Sequence, residues 1–280
     1  MILVTGATGN AGGGVVDGLL GLGAEVRAAV RPGSEEELPG GVEAAATDLN
    51  DPDSVRRAAE GASAAFLLSG YQGIDASLIS LRDGGLERVV LLSSSAAPTV
   101  KLDNAIARYH ILSEQAVRDS GLPWTFLRPN SFMSNAYRWL PQLENGDVIR
   151  APFGEVAISV IDPDDLGAVA ARALTTPDHE GRTYRLSGPE ALRPAEQVAI
   201  LAKYCGRDLR FEGQTDEEAR AEMEQAVPKA YVDAFFEFFS EGLVDETTVH
   251  PTVKQVTGRE PRSFERWAEA HAEAFSSATG

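Results

Sequence analysis

Cysteine is almost absent. Cys205 stands alone, so no internal disulfide is available, and a single thiol suits a reducing compartment. Histidine is sparse and scattered: no two of His110, His179, His250 and His271 fall within five residues of each other, which argues against a zinc site and against any bound metal. Basic residues are outnumbered, 25 against 42 acidic, for a formal charge of −17. That charge repels phosphate backbones and anionic headgroups, so neither nucleic acid nor a membrane surface is an expected partner. No apolar run approaches the roughly 20 residues of a membrane helix. No basic stretch precedes an apolar one at the start, where Met1-Ile-Leu-Val runs straight into a glycine turn. Repeats and low-complexity tracts are missing too. What is present is ordinary globular material: 280 residues, 43% apolar and 24% charged. A chain of this size buries a core without metals or disulfides. The expectation is a cytoplasmic protein, monomeric or homodimeric.

Through residue 130, short apolar runs alternate with longer amphipathic ones, the mark of a parallel sheet with crossover helices. The strand candidates are Ile2–Thr5, Val26–Val30, Val42–Ala46, Ala64–Ser69, Arg88–Ser93 and Trp124–Leu127. They are apolar on both faces, as strands covered by helices on both sides must be. Helices are predicted over Ala11–Leu22, Asp53–Ala59 behind Asn50 and Asp51, and Asp103–Ser120, which Gly121 and Pro123 stop. Further on, Ala157–Ile161 and Arg182–Leu186 read as strands. Asp162-Pro-Asp-Asp opens a helix through Leu174, with proline in the first turn and carboxylates facing the positive end of the helix dipole. From Pro194 the chain reads as mostly helical, with an acidic helix at Asp216–Gln225 and an aromatic one at Ala230–Phe239. The fold class is therefore α/β, a doubly wound parallel sheet with a smaller, mainly helical C-terminal lobe. Residues 1–131 would form the core, with 151–188 returning to it. The smaller lobe would take 132–150 and 189–262, and 263–280 would be a terminal helix.

The strongest motif is Thr5-Gly6-Ala7-Thr8-Gly9-Asn10-Ala11-Gly12, directly after the first strand and opening the first helix. Gly6 permits the tight turn, Gly9 lets the backbone approach a pyrophosphate, and Gly12 allows close helix–strand packing. The helix N-terminus then offers free N–H groups and a positive dipole end. A glycine-rich turn without ligand is the bland alternative, but the strand–turn–helix context favours a dinucleotide. At the end of the second strand, where a carboxylate would accept the ribose hydroxyls of NAD, the sequence is Arg27-Ala-Ala-Val-Arg31-Pro32, with no acid until Glu35. Arg31 can fork onto a 2′-phosphate, or simply stand solvated at a strand end; the first reading selects NADP(H). Asp48 and Leu49 are placed to meet the adenine, and Leu68 and Ser69 to flank its ribose, although each could equally be a strand-end turn.

These residues together resemble the atypical short-chain dehydrogenase/reductases. The glycine motif, the arginine after strand two, Asp48-Leu49 and Leu91-Leu-Ser-Ser-Ser95 carry that resemblance. Ser120-Gly-Leu-Pro-Trp-Thr-Phe-Leu-Arg-Pro-Asn-Ser-Phe-Met-Ser-Asn135 and Val256-Thr-Gly-Arg-Glu-Pro-Arg-Ser-Phe264 narrow it to the NmrA-like branch. The resemblance spans essentially the whole chain and implies a Rossmann core. It implies NADPH-dependent quinone reductases, reductases of natural products such as aromatic polyketides, or redox sensors without turnover. It places Ser95 at the catalytic serine position. Ser93 and Pro129 would lie with Gly6, Thr8, Gly9, Asn10, Ala11 and Gly12 along the cofactor, and Asn130, Phe132, Met133 and Trp139 toward the substrate.

One departure matters. The superfamily's acid is a tyrosine with a lysine four residues on; here Ala107 and Ile111 stand there, and Tyr109 has Ser113 four residues later. Tyr109 should point to a different helix face. Three replacements remain open: the Ser95 hydroxyl, which better serves to position a carbonyl; His110, whose range is suitable but which as a lone histidine is more often structural; or the substrate or water. A general acid is typically worth about 10²–10⁴-fold, so the loss is large unless the substrate carries its own proton. A phenol beside the ketone of an aromatic polyketide could do so. The expectation is thus an NADPH-dependent ketoreductase acting on a small aromatic molecule, a polycyclic natural product of antibiotic biosynthesis. A quinone or imine reductase, or a non-catalytic sensor, is the alternative. The aromatic helix at Ala230–Phe239 and Trp139 read either as core or as the wall of the substrate site.

Overall fold

The computed structural model describes residues 1–34, 38–99 and 101–276. Glu35 therefore lies outside the described residues, as do the last four positions of the predicted terminal helix. The first half alternates strand and helix as the sequence pattern requires: β1 (Ile2–Thr5), α1 (Asn10–Gly21), β2 (Val26–Val30), β3 (Val42–Ala46), α2 (Pro52–Ala58), β4 (Ala64–Leu68), α3 (Ile74–Asp83), β5 (Arg88–Leu92), α4 (Ala105–Asp119) and β6 (Trp124–Pro129). With β8 (Arg182–Leu186) these strands form one seven-stranded sheet, ordered β3-β2-β1-β4-β5-β6-β8, with every neighbouring pair parallel. The order reverses direction between β1 and β4. In doubly wound sheets, a ligand crevice opens outside the carboxyl ends of the strands at that point.

Alternation along each strand feeds two cores. Val4, Phe66, Val90 and Leu127 pack under α1 and α6 (Pro163–Thr175), while Leu3, Leu67, Leu91 and Phe126 pack under α2, α3 and α4. On the first face two helix backbones touch. A Cβ on Gly167 would stand 1.9 Å from the Gly14 carbonyl oxygen, and one on Gly14 would stand 2.4 Å from the Pro163 oxygen. Glycine is the only residue that fits there. The caps are local: the Asn104 side chain accepts from the Ile106 and Ala107 N–H groups, Asp51 from Asp53, and Asp162 from Asp164.

Beyond β6 a 3₁₀ segment over Met133–Trp139 leads into α5 (Leu140–Leu143) and β7 (Val148–Ala151). After β8 come α7 (Pro194–Cys205), β9 (Arg210–Gly213), α8 (Asp216–Ala226), α9 (Lys229–Phe239), α10 (Thr252–Thr257), α11 (Phe264–Ala270) and α12 (Ala272–Ser276). A third core of Met133, Leu143, Ile149, Val198, Leu201, Phe264 and Trp267 holds this lobe together. Among the described residues, no helix is long and apolar enough to cross a membrane.

Four sequence expectations change. Residues 157–161 are no strand. Ile158 bridges Leu192, Ile161 bridges Phe132, and the Ser159 N–H goes to the Glu246 carbonyl, so the segment's backbone is shared among three neighbours. β9 interrupts the predicted helical run and pairs in parallel with β7 as a two-stranded sheet. The terminal helix breaks at His271, whose Nδ1 and N–H both meet the Trp267 carbonyl. The helix α3 has no counterpart in the sequence reading; it starts at Gly73, which adopts φ +71°.

Candidate functional site

The site has two regions along the carboxyl edge of the sheet. The first is the glycine turn. Gly6 turns with φ +66°, and the Gly9 N–H donates back to the Gly6 carbonyl at 2.9 Å. Gly9 caps α1 without any side-chain acceptor, so the first N–H groups of the helix remain for a ligand. A Cβ on Gly12 would lie 2.1 Å from the Gly6 oxygen, so α1 can seat against the turn only with glycine there. The turn lines a cavity of about 400 Å³ whose further walls are Ala29, Val30, Arg31, Thr47, Leu49 and Leu68. Gly6, Thr8, Gly9, Asn10, Ala11 and Gly12 all face it. Arg31 is exposed, its carbonyl accepts from the Ser34 N–H, and among the described residues its side chain has no hydrogen-bond or ion-pair partner. An unfilled helix N-terminus, a side-chain-free backbone cradle and an unpaired guanidinium fit the pyrophosphate and 2′-phosphate of a dinucleotide.

Two predicted cofactor residues are occupied otherwise. Asp48 does not line the cavity: its carboxylate accepts from the Asn50 N–H at 2.9 Å and holds the turn before α2, while Thr47 and Leu49 on either side do the lining. Ser69 also turns away, its hydroxyl donating to the Leu92 carbonyl at 2.6 Å and tying the ends of β4 and β5 together.

The second region lies beyond β5 and β6. A cavity of about 390 Å³ brings together Ser93, Ser95, His110, Pro129, Asn130 and Phe132 with Phe235, Phe238 and Glu246. A larger cavity of about 540 Å³ opens into the small lobe and shares Ser131, Phe132, Asn135, Arg138, Phe235 and Phe239 with the first. Trp139 lines only the larger one. The helix α9 serves both readings of its aromatic face: Phe236 is buried in packing, Phe238 is buried at the wall of the smaller cavity, and Phe235 and Phe239 stand in both cavity walls.

Met133 is 1% exposed in the core of the lobe, beside Gly188, and lines neither cavity. Asn130 is 2% exposed and acts as a clamp: its Nδ2 donates to Ser159 Oγ at 2.9 Å and to the Glu246 carbonyl at 3.1 Å, and its Oδ1 accepts from Arg185. Ser93 donates to Glu114 Oε1 at 2.6 Å. Burial alone would push the Glu114 carboxyl up, but hydrogen bonds from Arg128 and Ser93 and the Arg128 and Arg118 charges hold it below the usual range.

His110 lines the smaller cavity with Ser95. Burial drives its imidazole down to about 4, against a smaller opposing pull from Glu114. It is therefore neutral at pH 7, with its buried Nδ1 unpartnered and its ring 4.1 Å from that of Tyr109, and no imidazolium stands ready to give up a proton. Burial, with a lesser push from Tyr231, also raises the Tyr109 hydroxyl above its ordinary range. Ala107 is fully buried against Ala96 and Phe238.

The Ser95 backbone N–H donates to the Pro129 carbonyl, and its hydroxyl donates to Glu246 Oε1 at 2.5 Å. Sequence reasoning missed Glu246. It lies 151 positions away in an aperiodic stretch between α9 and α10, and no spacing rule points to it. Only the observation that this stretch is neither helical nor strand-like, yet carries adjacent acids, could have raised it.

Comparison with known proteins follows the same lines. A family model described as NAD(P)H-binding matches residues 6–177. A (4-alkanoyl-5-oxo-2,5-dihydrofuran-3-yl)methyl phosphate reductase of Streptomyces griseus is 38% identical over 280 residues, 99% of each chain. An NAD(P)H azoreductase of Xenophilus azovorans is 34% identical over 99% of this chain and 100% of its own. Among solved structures, an NADPH-dependent quinone oxidoreductase of Escherichia coli, complexed with NADPH, matches with a TM-score of 0.79 at 22% identity, over 96% of this chain and 99% of that one.

Proposed function

The chain belongs to the NAD(P)H-binding family, in its NmrA-like, atypical short-chain dehydrogenase/reductase branch, and is an oxidoreductase; from that premise we propose that it uses NADPH to reduce a carbonyl group conjugated to a flat unsaturated ring. The observation that carries this reading is the pair of aromatic-walled cavities at the carboxyl edge of β5 and β6. When bound, the reduced nicotinamide supplies the hydride.

The chain's own residues do the rest. The glycine turn and the N-terminus of α1 hold the pyrophosphate, and Arg31 selects the 2′-phosphate over a bare ribose. Residues 1–131 with 151–188 hold the cofactor, and 132–150 with 189–262 shape the acceptor's side of the cleft. Phe132, Phe235 and Phe239 exclude water and stack on a flat ring, and Ser95 is the hydroxyl nearest the reacting oxygen.

Conjugation matters because the charge left on the acceptor after hydride addition spreads over the ring system, which lowers the demand for a strong acid. The two relatives compared above carry names of the same kind, an oxo-dihydrofuran with an alkanoyl group and an azo compound. The ketone of a polycyclic aromatic, polyketide-type natural product fits this class. The volume of the larger cavity, about 540 Å³, favours it. A quinone or imine fits the same walls and is the second reading.

The test is oxidation of NADPH with a panel of quinones, acyl-substituted unsaturated lactones, polycyclic aromatic ketones and imines. Turnover should be confined to conjugated acceptors and be faster with NADPH than with NADH. Equal turnover of simple aliphatic ketones would overturn the proposal.

A further inference from the structure

Glu246 sits where a carboxylate is expensive. It is 8% exposed, among Phe235, Phe238 and Val244 in the cleft wall, and among the described residues it has no ion-pair partner. Burying a charge without a counter-ion costs several kcal/mol unless hydrogen bonds replace the lost water. Here they do. Oε1 accepts the Ser95 hydroxyl at 2.5 Å, and Oε2 accepts the Ser131 N–H at 3.1 Å and the Ser131 hydroxyl at 2.7 Å. The backbone is pinned as tightly. The Glu246 carbonyl accepts from the Asn130 amide, the Ser159 hydroxyl and the Ser159 N–H, at 3.1, 2.9 and 2.8 Å. Four side chains on three separate segments thus fix one acid against the hydroxyl that faces the acceptor.

A serine hydroxyl has one hydrogen. While Glu246 is ionised that hydrogen points at the carboxylate, and Ser95 can only accept from a substrate. When Glu246 carries a proton on Oε1, it can donate to Ser95 Oγ, and the Ser95 hydrogen is released toward the cleft. Resting on the reductase reading above, we propose that Ser95 and Glu246 deliver the proton of the reaction, with Ser95 as the catalytic residue touching the substrate oxygen and Glu246 as the positioning residue that acts through it. As the carbonyl carbon gains the hydride, the C=O π pair moves onto oxygen. That oxygen takes the Ser95 hydroxyl proton, Ser95 Oγ takes the Glu246 proton, and Glu246 is left as a carboxylate. Ser131 then holds the negative charge, and water entering the cleft restores the proton.

The other ionisable groups around the carboxylate are Tyr109 and His110 on α4, Tyr231 on α9, Arg138, Arg185 on β8, and Asp245 and His250 in its own segment. Arg185 bonds to Asn130 and to the Asp245 carbonyl instead of to Glu246. The hydroxyls of Thr247 and Thr248 hold the Asp245 carboxyl far below the usual range.

Two acceptors separate the step from the rest of the site: a polycyclic aromatic ketone, which takes up a proton, and a triarylmethyl cation, whose reduction adds a hydride and no proton. In Glu246→Gln, kcat with the ketone should fall by about 10²-fold or more with KM little changed, and the ratio of ketone to cation turnover should fall with it. The native ketone rate should fall toward high pH, and the variant should lose that dependence. Ser95→Ala, which leaves Glu246 anchored by Ser131, should lower the same ratio. In the cofactor-free protein, carboxyl-carbon NMR should show a resonance that is absent from Glu246→Gln and that shifts once Ser95 is alanine, because a donor to the carboxylate is gone. A ketone-to-cation ratio within about two-fold of native in Ser95→Ala, or an unmoved resonance, overturns the pair. A native protein that reduces the cation and no ketone at all overturns the proposed function instead, and the pair with it.

Discussion

The two ends of the cleft are built from different materials. At the glycine turn almost everything is backbone: N–H groups at the head of α1, a tight turn at Gly6, and a position at Gly12 where a side chain cannot exist. Beyond β5 and β6 almost everything is side chain, and the contacts join residues far apart in sequence, Ser95 to Glu246 and Asn130 to Arg185. The first kind of site is fixed by a few neighbouring residues, so any chain that keeps the motif keeps the site. The second depends on which loop the small lobe lays across the sheet. This explains how one family keeps a common cofactor and takes different acceptors.

The comparison breaks first at Gly12. Gly12→Val would drive side-chain atoms into the Gly6 carbonyl, and should abolish NADPH binding and lower stability by about 1–3 kcal/mol or more, read by calorimetric titration and thermal unfolding. A variant that binds NADPH at native affinity would mean that the turn is not the phosphate site.

Dryness of the second region is tested by acid. The buried His110 titrates near 4 in the folded protein against an ordinary 6.5. Between those values the unfolded chain binds the extra proton, so stability must fall as pH drops from 6.5 toward 4, by up to ~3 kcal/mol from this group. His110→Met should remove that part of the slope. An unchanged slope in the chemical denaturation series would show that the imidazole is hydrated.

A smaller effect is expected at the adenosine end of the first region. Arg31→Ala should weaken NADPH by roughly 1.5–3 kcal/mol, about 10- to 150-fold, and leave NADH nearly unaffected. Parallel losses for both cofactors would assign Arg31 to some other contact. Least of all should change at Tyr109. Its hydroxyl has no place in the Ser95–Glu246 chain, so Tyr109→Phe should leave ketone turnover within a few-fold of native, and a collapse would return the acid to α4.

The difference between the regions is also a difference in legibility. Strands β1 to β6, the crossover helices capped by Asp51, Asn104 and Asp162, and the glycine turn are written in local periodicity and capping, and could be read directly. The failures are non-local. Residues 157–161 look like a strand until Glu246 claims the Ser159 N–H, and Met133 looks like a substrate contact until the lobe core closes over it. Asp48 was assigned to the ligand although an Asx turn with Asn50 uses its carboxylate first. Glu246 itself is invisible to any pattern, because its role exists only once residues 240–251 are folded against β5 and β6.

The most direct test of the central claim follows the hydride. The protein would be incubated with NADPH deuterated at the transferable nicotinamide position and a polycyclic aromatic ketone in ordinary water, and the product read by mass spectrometry and NMR. The expected result is one deuterium on the former carbonyl carbon and none on the new hydroxyl. Tight NADPH binding with the ketone recovered unlabelled, alongside every other conjugated acceptor tried, would contradict it.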